Sequence, residues 1–232
     1  MSDIAVCKGV EKSYGRKTAL KGIDLTIKSG RIIGLLGPNG SGKTTLIKLM
    51  SGILSIDGGE IIIGGNPVGT ESKKIVSYLP DRPYFSSSMK IEEIIRFFKD
   101  FYEDFEAETA YGMLEKLNIS PSARIRSLSK GNREKVQLIL VMSRKAKLYL
   151  LDEPMGGIDP AARDYILKTI LSNYNEDSSV IISTHLISDV ENVLDDVIFI
   201  KDGEMVLHKS VDDIRMEEKK SVDALFREVF AC

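Results

Sequence analysis

Cysteine is scarce in this chain of 232 residues. Only Cys7 and Cys232 are present, at opposite ends, which excludes a disulfide framework or a zinc site and points to a reducing cytoplasm. Long apolar runs are absent too. No stretch approaches the ~18 to 20 apolar residues that cross a bilayer, and the opening "MSDIAVCKGV" has neither the basic leader nor the apolar core of a secretory signal. The expectation is a cytoplasmic chain whose contact with a membrane, if it has one, runs through a partner. Nor is there a surplus of one charge. The 32 basic and 34 acidic residues leave a net charge of -2, which gives no global electrostatic reason for binding nucleic acid or anionic lipid. There is no internal repeat and no low-complexity tract. What is present, 43% hydrophobic and 28% charged, suffices for one globular unit with a sizeable core, or two lobes sharing a site.

Apolar patterning organises that unit. "GIDLTIKSGRIIGLLG" reads as a hairpin turning at Ser29-Gly30 into a buried strand that ends near Leu36. A helix is expected from Thr44 to Met50, then turn, strand and turn over "SIDGGEIIIGGNPVG", then a strand at "IVSYL". Between Ile91 and Ser143 the period becomes helical. Ile94, Phe97, Phe98, Phe101, Tyr102 and Phe105 recur at spacings of three and four, a stripe expected to form the core of an inserted helical lobe. "LYLL" and "SVIIST" flank the helical pattern of Ala161 to Leu171, the alternation of a parallel βαβ sheet. "DVIFIKDGEMVL" reads as a hairpin turning at Asp202-Gly203, and the mixed-charge end as solvated helices. The expected fold is therefore α/β: a phosphate-loop core with a mostly parallel sheet, an N-terminal antiparallel β subdomain and a helical lobe. One domain spans residues 1–232, with its core at 1–84 and 146–232 and the lobe at 85–145.

The chemistry starts at "GPNGSGKTT", which satisfies G-x-x-x-x-G-K-[ST] between an expected strand and an expected helix. Gly37, Pro38, Asn39, Gly40, Ser41, Gly42, Lys43, Thr44 and Thr45 form a nest of backbone N–H groups around phosphate oxygens. Glycine is needed where a side chain would block the approach. The helix N-terminus adds partial positive charge, Lys43 reaches the β- and γ-phosphates, and the Thr44 hydroxyl is placed to ligate Mg²⁺. In "LYLLDEP" an apolar strand delivers Asp152 and Glu153 to its C-terminal end, beside the phosphate loop of an open α/β sheet. One carboxylate can serve the Mg²⁺ shell and the other can polarise an attacking water. No Asn-Lys-x-Asp guanine-reading motif is present, which argues against a GTPase.

Taken in order, "SYGRKTAL", "GPNGSGKTT", "YLPD", "LSKGN", "LYLLDEP", "GGIDP" and "STH" resemble the nucleotide-binding subunits of ATP-binding-cassette (ABC) transporters, over nearly the whole chain and more like the bacterial export type. The resemblance implies an ATPase using ATP and Mg²⁺. In it Tyr14 stacks on adenine, Asp152 binds Mg²⁺, Glu153 is the general base or water positioner, and His185 contacts the γ-phosphate. It also implies that Ser129, Lys130 and Gly131 address the ATP of a second cassette in trans. Asp159 couples the two sites, a role compatible with capping the helix after Pro160. The partners implied are that second cassette, identical or related, and a separate multi-span membrane subunit. Its helix would seat near Asp81 to Met89, at the inner face of the cell membrane.

Two positions depart from the family's pattern. Asp81 stands where glutamine is usual; an ionised aspartate only accepts hydrogen bonds and adds negative charge, though it can still contact a metal. Lys130 stands where glycine is usual, bringing a cation toward a triphosphate or pointing into solvent. A second class stays open: a soluble ABC-type ATPase acting as a mechanical switch on ribosomes or DNA. Those relatives usually carry two cassettes or a long coiled-coil insertion. A generic phosphate-loop kinase would not need "LSKGN" or "STH".

Overall fold

The computed structural model describes residues 2–156, 160–174 and 177–231. The first elements are strands β1 (Asp3–Tyr14), β2 (Lys17–Lys28) and β3 (Ile32–Leu36), helix α1 (Lys43–Met50), strands β4 (Gly58–Ile63) and β5 (Asn66–Pro67), helix α2 (Thr70–Ile75) and strand β6 (Val76–Leu79). Helices α3 (Ile91–Phe101), α4 (Ala107–Lys116) and α5 (Lys130–Met142) come next, then β7 (Leu148–Asp152), α6 (Pro160–Asn173), β8 (Ser179–Thr184) and α7 (Ile187–Val190). The chain finishes with β9 (Asp196–Lys201), β10 (Glu204–Ser210), the short α8 (Val211–Asp213) and α9 (Val222–Phe230).

Among the described residues these strands form two sheets. An antiparallel sheet has the order β2-β1-β4-β5, and a second sheet has the order β10-β9-β3-β8-β7-β6. In the second, β3, β6, β7, β8 and β9 are parallel, and β10 runs antiparallel along the edge. Every residue of β3, β7 and β8 is buried, as expected of central strands covered on both faces. Those three strands end side by side, so the loops after Leu36, Asp152 and Thr184 emerge at one edge of the sheet.

One expectation from the sequence fails here. Residues 22–36 do not form a hairpin: β2 pairs with β1, Lys28 opposite Asp3, while β3 lies between β8 and β9 in the other sheet. The physical reason is in the patterning. Along its second half β2 alternates buried and exposed positions and so suits a sheet solvated on one side, whereas the unbroken buried run of β3 needs cover on both faces. Gly30, at φ +72°, passes the chain from one sheet to the other. The turn at Asp202-Gly203 is a true hairpin, with φ +49° and +84° as a two-residue I′ turn demands.

The C-terminal end also differs from a set of solvated helices. Val222 and Leu225 of α9 are buried, and Phe226 and Phe230 pack on Phe199 of β9 with ring centroids 5.5 and 5.7 Å away. The charges that dominate that segment in sequence lie on the outer face of an amphipathic helix. The aromatic stripe of α3 divides in a similar way. Ile94, Phe98 and Phe105 enter the core, while Phe97 and Phe101 stack on each other at 5.5 Å and stay 53% and 70% exposed.

Arg144, just beyond α5, ties the helical segment to the sheet. Its guanidinium, almost wholly buried, donates to both Asp104 carboxylate oxygens at 2.9 and 3.0 Å and to the backbone carbonyls of Val76 and Lys74 at 2.6 and 2.7 Å. It also lies 3.8 Å from the centroid of the Tyr102 ring. Asp104 is therefore a paired, partly buried carboxylate. Planar, fork-like donors fit this arrangement and a lysine would not reproduce it. Replacing Arg144 with methionine should cost about 3 kcal/mol, because the Asp104 charge and two carbonyls lose their donors. A lower urea midpoint at unchanged slope is the expected reading, and an unmoved midpoint would contradict it.

Candidate functional site

The phosphate loop leaves β3 at Leu36 and turns into α1 at Lys43. Gly37 has no room for a side chain: a Cβ there would lie 2.3 Å from the Ile200 carbonyl oxygen and 2.6 Å from Ser41 Oγ. Gly42, at φ +116°, holds the left-handed backbone that starts α1. The loop is braced from a distant hairpin, since Gly203 N donates to Ser41 O at 2.9 Å and Lys21 N donates to Gly203 O at 2.9 Å. Nothing in the local sequence announces that brace; Gly203 reads as a turn residue only. Ser41 Oγ is buried and has no hydrogen-bond partner.

Lys43 is buried and donates to the carbonyls of Gly37 at 2.7 Å and Pro38 at 3.2 Å. Burial lowers its pKa from the usual lysine range, against the opposing pull of Glu153 and Asp152. A phosphate oxygen offers the ammonium a stronger, charged partner than those carbonyls do. The next residue, Thr44, points its hydroxyl at Asp152 Oδ1, 3.0 Å away. Ser183 Oγ donates to the same oxygen at 2.6 Å. Asp152 Oδ2 has no partner although the side chain is fully buried. Burial pushes the Asp152 carboxyl above its ordinary value, the two hydroxyl donors oppose that rise, and the charge of Asp81 adds to it.

Glu153 adopts φ +49°, a left-handed backbone that is strained for a glutamate. Two bonds hold it there: its N–H reaches Ser183 O at 3.1 Å and Ser183 Oγ at 3.0 Å. Its carboxylate Oε2 lies 3.0 Å from His185 Nδ1. Ser183, inside "SVIIST", thus serves the Asp152 carboxylate and the Glu153 backbone at once. Its sequence context is an apolar strand, and only the adjacency of β7 and β8 discloses what its hydroxyl does.

A cleft of about 320 Å³ opens over these groups. Asn39, Gly40, Gly42, Lys43, Thr44 and Thr45 line one side, Asp81 and Glu153 another, and the half-exposed Tyr14 with Lys17 and Ala19 the rim. Asp81, following β6, lines the cleft, and among the described residues the one cation within ion-pair distance of it is the exposed Arg82, at 3.8 Å. Ser129, Lys130 and Gly131 do not line this cleft. They begin α5, where Ser129 Oγ accepts from Asn132 N at 3.2 Å, an N-cap. Lys130 lies 3.9 Å from Glu134, one turn on. Asp159 falls outside the described residues.

The donor set fits a hard divalent cation. Asp152 offers an unpartnered carboxylate oxygen, Thr44 a hydroxyl and Asp81 a second carboxylate. Mg²⁺ takes one or two carboxylates, phosphate oxygens and several waters. Among the described residues no group of three His, Cys, Asp or Glu could hold a metal by itself, so a cation here depends on water and phosphate for the rest of its shell.

Residues 20–156 match the model of the ABC transporter family. The linearmycin resistance ATP-binding protein LnrL of Bacillus subtilis (strain 168) is 32% identical over 207 residues, which cover 86% of this chain and 67% of that protein. The SkfA peptide export ATP-binding protein SkfE of the same organism is 31% identical, covering 86% of both chains. In three dimensions, an ATP-binding subunit of an ABC transporter superposes with a TM-score of 0.88 at 26% identity, over 97% of this chain and 99% of that one. The chain belongs to the ABC transporter family. Within it, this is the nucleotide-binding subunit, an ATPase that energises transport. None of these relatives is named as a switch acting on ribosomes or DNA. No helix among the described residues is long and apolar enough to cross a membrane.

Ser183→Ala removes one donor from Asp152 and one acceptor from the Glu153 N–H. Affinity for magnesium-loaded ATP should fall by roughly 10- to 100-fold, the usual effect of losing an outer partner of a metal ligand. Calorimetric titration gives the value, and an affinity equal to wild type would show that Ser183 does not hold the carboxylate in place.

Proposed function

We propose that two cassettes close head to tail around ATP, each completing the other's site, and that hydrolysis releases them to drive a membrane partner. The observation that carries this reading is the division of labour in one chain. Lys43, Thr44, Asp152, Glu153 and His185 meet at one sheet edge, while the Ser129 N-cap stands apart on another element. Half a site is built at each place, and the two halves have complementary chemistry.

Lys43 exchanges the Gly37 and Pro38 carbonyls for the β- and γ-phosphates, and the backbone N–H groups of the loop hold the remaining oxygens. Tyr14 supplies an aromatic face for adenine at the rim. Thr44 and Asp152, with Asp81 across the cleft, would hold Mg²⁺, which when bound offsets the charge of the phosphate oxygens. Glu153 takes or orients the proton of the attacking water, and His185, on the same carboxylate, steadies that geometry.

From the facing cassette, Ser129 uses its oxygen to accept from Asn132 N, which leaves its own O–H to donate toward a phosphate. The first turn of α5 contains no acidic residue, so its partial positive charge is uncancelled there. Gly131 has open space around it and lets a phosphate approach the backbone. Lys130, itself exposed, is free to leave its long 3.9 Å pair with the largely buried Glu134 for that phosphate. Asp159 would couple the two sites across the dimer.

The membrane partner is read from a second, larger groove of about 710 Å³, whose wall includes Asp81, Arg82, Pro83, Tyr84, Phe98 and Tyr102. A cytoplasmic helix of a multi-span subunit fits there, so that the cassette works at the inner face of the membrane. Since SkfE is named for peptide export, export of a peptide-like molecule is the transport class favoured.

Glu153→Gln should keep ATP affinity and lower turnover by ~10²-fold or more, the scale of a positioned base. Phosphate release at wild-type rate would remove the assignment. Lys43→Ala should abolish nucleotide binding, since the buried ammonium is the group that meets the terminal phosphates. Normal ATP affinity by calorimetry would contradict that role.

A further inference from the structure

From Ala5 to Glu11 strand β1 pairs with β4 on one edge and β2 on the other, and it loses β4 just before Tyr14. The last pair with β4 is Glu11 opposite Gly58, and from there β2 alone accompanies the chain to the turn at Gly15-Arg16. The Ser13 N–H on the vacated edge is nonetheless taken. Asp57 Oδ2 accepts from it at 2.7 Å, Asp57 Oδ1 accepts from Lys12 Nζ at 2.6 Å, and Asp57 N donates to Glu11 O at 3.0 Å. One side chain therefore continues the ladder where β4 stops. On the β2 edge the register slips: Lys12 lies opposite Leu20 but Ser13 opposite Thr18, which makes Ala19 an extra residue on β2. A bulge of this kind bends the strand and re-aims the side chains beyond it. Ala19 lines the nucleotide cleft, and its carbonyl oxygen lies 2.8 Å from where a Cβ on Gly42 would stand.

The bulge brings the hairpin tip to the cleft, and the bond to Ser13, one residue before Tyr14, fixes its direction there. Packing holds the tip weakly, since Tyr14 is 49% exposed and Ser13 Oγ reaches Thr18 Oγ1 only at 3.4 Å. A backbone N–H bonded to a carboxylate is short and directional, and this carboxylate stands on the connection between α1 and β4, 44 residues from Ser13 in sequence. We propose that Asp57 is a positioning residue that aims the Tyr14 ring at the nucleobase. The inference rests on the reading of Tyr14 as the adenine platform. It adds that base and phosphates are held by separately supported parts of the cleft: the phosphate loop keeps its bonds to Gly203 and Asp152 whatever Asp57 does.

Calorimetric titration of the full chain with ATP and with inorganic triphosphate, both with Mg²⁺, separates the base from the phosphates. Tyr14→Ala should weaken ATP by roughly 5- to 100-fold, the range for losing an aromatic stack on a base, and leave triphosphate unchanged. Asp57→Ala should reproduce that selective loss by a factor no larger. Asp57→Asn, whose amide oxygen still accepts from the Ser13 N–H, should retain most of the affinity. The chain has no tryptophan, so Tyr14→Trp places a lone indole on the platform. Adding Asp57→Ala to that variant should lower the indole's fluorescence anisotropy and the quenching by ATP. If Asp57→Ala binds ATP as wild type does while Tyr14→Ala is weakened, the proposal is overturned and the platform stands. If Asp57→Ala weakens ATP and triphosphate alike, Asp57 supports the fold in general and the proposal is again overturned. If Tyr14→Ala binds ATP as wild type does, the platform reading falls and the role of Asp57 falls with it.

Discussion

Asp152 is a carboxylate carried to the C-terminal end of a fully buried strand, one oxygen held by Thr44 and Ser183 and the other held by nothing. Burying an ionised group without a counter-charge costs the folded state free energy. The rest of the site is arranged around that debt to electrostatics. The Thr44 contact ties β7 to the first turn of α1, so the phosphate loop and the acidic strand end hold a fixed relation. The Ser183 contact ties β7 to β8 and, through the Glu153 N–H, holds the next carboxylate in its left-handed backbone. In the proposed reading a cation with its triphosphate would supply what Asp152 lacks.

Strain and burial are stored where chemistry happens, and other parts of the fold compensate for them. Glu153 keeps a backbone conformation that costs of order 1–3 kcal/mol, and two bonds to Ser183 oppose it. The Gly203 hairpin braces the loop from outside, and Arg144 joins sheet and helical segment through four donated bonds. The Ser129 cap is carried on α5, which begins away from the cleft.

Much of this was legible in sequence, and the reason is local. The phosphate loop needs glycines, lysine and threonine in a fixed register, so "GPNGSGKTT" states its own geometry. The buried runs of β7 and β8 announce central strands, and the Ser129 cap announces its helix. What escaped depends on neighbours far apart in the chain. Ser183 reads as one more strand residue until β8 is laid beside β7. Gly203 reads as a turn until it is seen against Ser41. Residues 22–36 read as a hairpin because two apolar runs flank Ser29-Gly30, although their burial patterns belong to different sheets. Charge at the C-terminus concealed an aromatic face on Phe199.

The central claim is that Asp152 serves the cation and nucleotide at a cost to the empty fold. Thermal melting of Asp152→Asn beside wild type, with and without magnesium-loaded ATP, tests it most directly. At neutral pH the empty variant should melt no lower than wild type, since a buried charge has been removed. Nucleotide at 100 times its Kd should stabilise wild type by about 2.7 kcal/mol and leave the variant unmoved. A variant that melts lower when empty, yet rises with magnesium-loaded ATP as far as wild type does, would contradict the account.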